Sequence, residues 1–225
     1  MASVAARAWL SLAVLIVIVG FVLFGCAGTF DYWQAWVYLV LLGALSAAIT
    51  FDLMRRDPAL LARRMKGGPT AEPRPVQRLV MLGASVGYFG LLILPALDFR
   101  YTWSQVPRAI VIAGDVLFVV GFGFIARVYR ENTFTAATIQ VAEGQRVVST
   151  GPYAVVRHPM YASALLYLLG TPLALGSYWG LLALAFMVPF LVWRLLDEEQ
   201  LLARELPGYT AYQRTVRYRL VPFIW

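Results

Sequence analysis

The sequence is poor in the side chains that usually mark soluble-domain chemistry. Its 225 residues include one cysteine, Cys26, one histidine, His158, and one lysine, Lys66. A single cysteine excludes an intrachain disulfide framework and a cysteine-based metal site. A single histidine removes the paired-histidine metal motifs too, so no metal is expected. Charged residues make up 14% of the chain, against about 25% in soluble domains. There is no GxxxxGK loop to cradle phosphate and no serine in a GxSxG setting, which argues against a P-loop nucleotide site and a hydrolase triad. Gly121-Phe122-Gly123 is a GxG inside an apolar run with no strand before it. It reads as a place of close helix approach, not a dinucleotide fingerprint. The net charge of +7 does not indicate nucleic acid as a partner, because no basic patch alternates with aromatics on a polar domain.

What is present is apolar sequence, 60% of the chain. Uncharged or nearly uncharged runs occupy about 8–27, 33–51, 79–97, 108–129, 160–175 and 178–196; roughly 20 apolar residues are needed to cross a bilayer as a helix. A cleaved signal peptide competes for the first run, but Phe24 is bulky where cleavage needs a small residue. The last two runs are split by Gly176-Ser177, a break short enough to predict an antiparallel helical hairpin. The 160–175 arm is short for a full crossing and is interrupted by Gly170-Thr171-Pro172; such irregularity is tolerated where backbone lines a cavity. The expected fold is all-α and polytopic, with about five to six transmembrane helices, a C-terminal helical hairpin and a cytoplasmic tail.

The polar segments complete this plan. Residues 52–78 hold seven cations, and the DPALLARRM segment from Asp57 is expected to form an amphipathic helix in the membrane interface. Residues 130–150 read as a loop with a short hairpin near Glu143-Gly144. Asp115 lies within an apolar run, where a charge is a functional candidate by default; the favoured expectation is that it meets Arg108 or Arg100 near the outer end. With the 52–78 loop inside, seventeen of the 19 cations fall on one side. That bias predicts a cytoplasmic location for the 130–158 segment and both termini.

The chemistry concentrates in two places. GPYAVVRHPMY, residues 151–161, carries Arg157, His158, Pro159 and Tyr161 at the entry to the hairpin. Arg194, Glu198 and Glu199 stand where the hairpin leaves the membrane. Arg194 and Glu198, four apart, share a helical face. Glu198-Glu199 is a like-charge pair that needs a cation or strong donors. The bland alternative is interfacial anchors plus a solvated acidic face.

GPYAVVRHPMY, GTPLALGSYW, RLLDEEQLL and LPGYTAYQRTVRYRLVPFIW, in this order over about 127–225, resemble the isoprenylcysteine carboxyl methyltransferase family in its bacterial form. The related phospholipid N-methyltransferases share RHPxY and the glutamate pair. The resemblance implies a C-terminal methyltransferase region at 127–225, preceded by membrane helices at 1–126. It implies S-adenosylmethionine as donor, held by Arg157, His158, Pro159, Tyr161, the Gly170-Pro172-Leu173 turn, Glu198, Glu199, Tyr209 and Tyr212. It also implies a lipophilic or lipidated acceptor entering from the bilayer, and a place in the bacterial inner membrane among its lipids. Carboxyl O-methylation needs no base; an arginine would steer the carboxylate, with Arg194 first and Arg130 or Arg127 next. Amine methylation would use Glu198 or His158 as base. A nicotinamide-dependent membrane reductase and a non-enzymatic membrane protein are the rival classes.

Overall fold

The computed structural model describes residues 4–225 and contains eight α-helices among them. α1 (Val4–Ala27), α2 (Trp33–Arg56) and the short α3 (Pro58–Met65) come first. α4 (Pro75–Tyr101) and α5 (Arg108–Glu131) follow, then α6 (Pro159–Ala174), α7 (Gly180–Glu205) and α8 (Tyr209–Thr215). Among the described residues, five helices (α1, α2, α4, α5 and α7) are long and apolar enough to cross a membrane, so this is an integral membrane protein. α6, at 16 residues, is shorter than those five.

Local sequence explains the boundaries. α2 ends in Arg55 and Arg56, cations that complement the negative end of the helix dipole. Asp57 then caps α3, accepting from the Leu60 N–H at 2.8 Å, and Pro58 takes the first helical position, where a missing N–H costs nothing. The amphipathic helix expected here therefore exists, but its apolar side does not face lipid. Leu60 and Leu61 are buried against Ala8 of α1 and Leu53 of α2, because the tight start at Asp57-Pro58 folds α3 back onto the helix it follows.

Glycines decide which helices pair. On α5, Gly114 and Gly121 lie seven apart and so on one face; a Cβ on Gly114 would come within 2.3 Å of the Ala174 backbone, and one on Gly121 within 2.7 Å of Tyr167 N. From α6, Gly170 returns the contact at 2.6 Å from Gly114 O. Such spacing lets two backbones touch. Of the GxG at 121–123, only Gly121 serves this purpose; Gly123 has open space around it. On α4, Gly83, Gly87 and Gly90 receive Phe190, Met187 and Ala183 of α7. The hairpin arms α6 and α7 are joined by a short turn, yet α6 packs chiefly on α5 and α7 on α4. A cavity opens between the arms as a result.

The turn itself is latched at the end of the bundle away from most arginines. Asp98, buried near the end of α4, accepts from Ser104 N at 2.7 Å and from the hydroxyls of Ser104 and Ser177. Tyr32 donates its hydroxyl to Leu175 O. Asp115 does not join either arginine expected for it. Its Oδ1 is buried without a partner, and Arg100 instead lies over the Tyr101 ring. The 132–150 segment has no strand; the hairpin expected near Glu143-Gly144 is a single tight turn, with Gln145 N donating to Ala142 O and Gly144 at φ +70°.

Replacing Gly170 by Val should drive α5 and α6 apart, at a cost of about 1–3 kcal/mol or more. Gly123→Val, in open space, should leave stability unchanged. Thermal unfolding of the two variants in one detergent checks this, and equal melting temperatures would refute the packing argument.

Candidate functional site

The approach to α6 is built by proline. The residue before a proline is kept out of the helical region, and His158 has φ −123° and ψ 62°. Non-helical backbone at His158 lets this stretch pair with the tail: Arg157 N donates to Tyr218 O and His158 N to Arg219 O, both at 2.9 Å. Pro159 begins α6. The RHP motif thus works as a rung joining the start of a membrane helix to the end of the chain.

Beneath this rung sits Glu199, buried on α7. Its Oε1 accepts from Arg157 Nε at 2.6 Å and lies 3.2 Å from His158 Nε2; its Oε2 accepts from Arg219 Nε at 2.8 Å. Arg157 Nη1 also donates to Val216 O and Arg217 O. The Glu199 carboxylate is shared by two arginines and is spent on closing the tail. Glu198, next in the chain, points about 100° around the helix. It lines the cavity and accepts from the Tyr161 hydroxyl at 2.7 Å. The like-charge problem of the pair is solved by turning the two carboxylates to different environments.

The cavity is about 500 Å³, within the roughly 300–1,000 Å³ typical of small-molecule sites. α4, α5, α6 and α7 surround it, and the 134–148 segment and α8 help close it. Its deep part is apolar, with Met81, Ala84, Leu168, Met187 and Leu191 beside Tyr88 and Tyr167. Its polar end gathers Arg157, His158, Pro159, Tyr161 and Glu198 with Tyr209 and Tyr212 of α8. Tyr212 donates to Tyr153 O at 2.7 Å. The Tyr209 hydroxyl is buried without a partner. Burial raises the ionisation of Tyr153, Tyr209 and Tyr212 well above the usual tyrosine range, so these hydroxyls stay protonated and able to donate.

The other expected site residues are engaged with protein partners or lie outside the cavity. Arg194 lines the cavity, but its guanidinium is taken: Glu72 at 2.7 Å, Gln77 Oε1 at 3.0 Å and Ala137 O at 2.8 Å. Arg130 is exposed and sits 3.6 Å from Asp52; Arg127 is exposed and pairs with Glu131. Neither lines the cavity. Gly170, Pro172 and Leu173 lie at the far end of α6, in helix packing, outside the lining. Glu72 and Gln77 were missed by sequence reasoning. A signal existed: Glu72 is the only glutamate in the 52–78 segment with its seven cations, and Gln77 is a polar residue entering an apolar run. Asp197 is held by Arg74 and Gln77.

A family model described as phospholipid methyltransferase matches residues 109–207, from the start of α5 to just beyond the end of α7. That family of integral membrane methyltransferases includes the isoprenylcysteine carboxyl methyltransferases, in agreement with the resemblance drawn from the motifs. A search of curated proteins finds no match to this chain.

Glu199→Gln should lower stability by about 3–5 kcal/mol, because it leaves buried guanidinium without its counter-charge. The residues from 206 onward should become sensitive to limited proteolysis. Glu198→Gln keeps an amide oxygen for Tyr161 and should melt as the wild type does. Equal proteolysis of both variants would contradict the division of roles within the pair.

Proposed function

We propose that this protein, whose residues 109–207 match the phospholipid methyltransferase model, is a membrane methyltransferase that transfers a methyl group from S-adenosylmethionine to the carboxylate of an isoprenylcysteine-like lipophilic acid. The observation that carries this reading is the grading of one cavity: Glu198 and the unpartnered Tyr209 hydroxyl at one end, apolar side chains at bilayer depth at the other.

The residues present suit the donor. Glu198 offers a carboxylate oxygen to an amino group or to ribose hydroxyls. Tyr209 offers a neutral hydroxyl with no competing acceptor, and the tyrosine faces suit adenine and a cationic centre. When bound, the donor supplies an electrophilic methyl carried on a sulfonium. Arg157, committed to Glu199 and the tail carbonyls, acts by position: it fixes the rung that carries His158 and Tyr161 to the cavity. Arg194 likewise fixes the 137–139 backbone to α4 and α7. The donor region assigned to 127–225 is completed from the N-terminal part by Arg64 and Tyr88, which also line the cavity.

An acceptor carboxylate is ionised at neutral pH and asks for no general base, so the work left to the protein is orientation and exclusion of water. The apolar deep end, between helices that cross the bilayer, fits a prenyl or acyl chain. One observation favours phospholipid or other amine N-methylation as a second reading: Glu198 faces the cavity without an ion-pair partner and could draw in an ammonium and take its proton. By the positive-inside bias we place the arginine-rich end, and with it the polar end of the cavity, at the cytoplasmic face of a bacterial inner membrane, where the donor is available.

Calorimetric titration of S-adenosylhomocysteine into detergent-purified protein tests the donor site. Wild type should bind, and Glu198→Gln should weaken binding by about tenfold or more, which is ~1.4 kcal/mol. Methylation of a farnesylated cysteine in preference to phosphatidylethanolamine separates the two acceptor readings. A folded wild type that ignores S-adenosylhomocysteine would end the donor assignment.

A further inference from the structure

Five groups that carry or can carry positive charge line the cavity: Arg64, Arg146, Arg157, His158 and Arg194. Four are already engaged. Arg64 donates to Ala136 O at 2.7 Å and lies over the Tyr129 ring. Arg157 and His158 meet Glu199, and Arg194 meets Glu72. Arg146 alone has no hydrogen bond, ion pair or ring contact among the described residues. Resting on the methyltransferase reading, we propose that Arg146 is the cavity's oxyanion receptor: it binds the carboxylate of a ligand whose cationic or hydroxyl end is taken by Glu198.

Three features support this. The first is mounting. Arg146 follows the tight 142–145 turn, in which Gln145 Oε1 accepts from Ala142 N at 2.8 Å. Val147 and Val148, which come next, pack on the cluster of Tyr153, Tyr209 and Tyr212. The backbone that carries Arg146 is thus tied to the same tyrosines that close the cavity. The second is charge. Glu198 is the one carboxylate that lines the cavity. A free guanidinium and a free carboxylate on one cavity match a ligand bearing both charges, as an amino-acid moiety does. The third is chemistry. A guanidinium presents paired donors in a plane that fits a carboxylate two-pronged, and each engaged guanidinium already donates to at least one protein oxygen. Arg204, Arg214 and Arg217 make no ion pairs either, but none of them lines the cavity.

A carboxylate at this position has two sources, the amino-acid end of the methyl donor and the acceptor acid. Titrations with S-adenosylhomocysteine, and with N-acetyl-S-farnesylcysteine and its methyl ester in the presence of S-adenosylhomocysteine, tell them apart. If the donor's carboxylate binds here, Arg146→Gln should weaken S-adenosylhomocysteine about tenfold or more, with partial recovery in Arg146→Lys. If the acceptor's carboxylate binds here, S-adenosylhomocysteine affinity should be unchanged. The preference for the free acid over its methyl ester should then disappear in Arg146→Gln and return in part in Arg146→Lys. Both variants should melt as wild type does, since no protein contact is removed. The assignment is overturned if Arg146→Gln leaves both affinities and the acid–ester preference unaltered, or if any loss tracks a fall in melting temperature and Lys gives no recovery. Wild type failing to bind S-adenosylhomocysteine would instead sink the donor reading, a result separable from these.

Discussion

A carboxylate buried beside a membrane must be answered, and Glu199 is where this protein answers it. Taking a carboxylate out of water costs several kcal/mol unless opposite charge and good hydrogen bonds replace the lost hydration. Glu199 receives Arg157 from the approach to α6 and Arg219 from the tail, with His158 beside them. Three pieces of chain far apart in sequence are thereby held at one point. The tail cannot leave without stranding a buried charge, and while it stays, Tyr209 and Tyr212 remain on the cavity. Arg157 reinforces this by donating to tail carbonyls, so one side chain answers both a charge and unpaired backbone.

The cavity follows from a second constraint, the close approach of helices at glycine. Gly114, Gly121 and Gly170 draw α6 onto α5; Gly83, Gly87 and Gly90 draw α7 onto α4. Helices that follow one another through a short turn would ordinarily pack along their length. Here each has a better partner, and the Asp98 latch holds their junction. Space is left between the arms at the arginine-rich end. The ion cluster and the glycine contacts are therefore complementary: one closes the floor of the cavity, the other keeps its walls apart.

Much of this was legible in the sequence, for reasons that also show the limit. Hydropathy and length exposed the membrane helices, since a bilayer leaves few ways to satisfy a backbone. RHPxY and the glutamate pair stood out as polar residues at the ends of apolar runs. That the pair would divide between two jobs was in reach too, because neighbours on a helix diverge by about 100°. Partnerships across long separations were not in reach. Nothing local to Arg194 says that Glu72, over a hundred residues earlier, will take its charge. Asp115 was misjudged for the same reason: proximity in sequence to Arg108 does not set where its carboxylate points. α3 was recognised as amphipathic, but amphipathicity does not distinguish a lipid surface from a neighbouring helix as the place for its apolar face.

The cations on the cavity show how structure revises a choice made on residue type. Any arginine near the membrane face is a candidate for steering an acidic group, and Arg194 was the natural first choice by position. On the proposal made for Arg146, engagement favours a different arginine. A guanidinium that already meets Glu72, Gln77 and a backbone carbonyl would have to give up those partners to bind a ligand, and breaking a buried pair is the expensive direction. An exposed guanidinium gives up only water. The residues that hold the site together and the residues free to meet a ligand are therefore different sets here, even though they alternate along the same stretches of chain. Glu199 and Glu198 make that division within two residues. Arg157 and Arg146 make it within one loop, between α5 and α6.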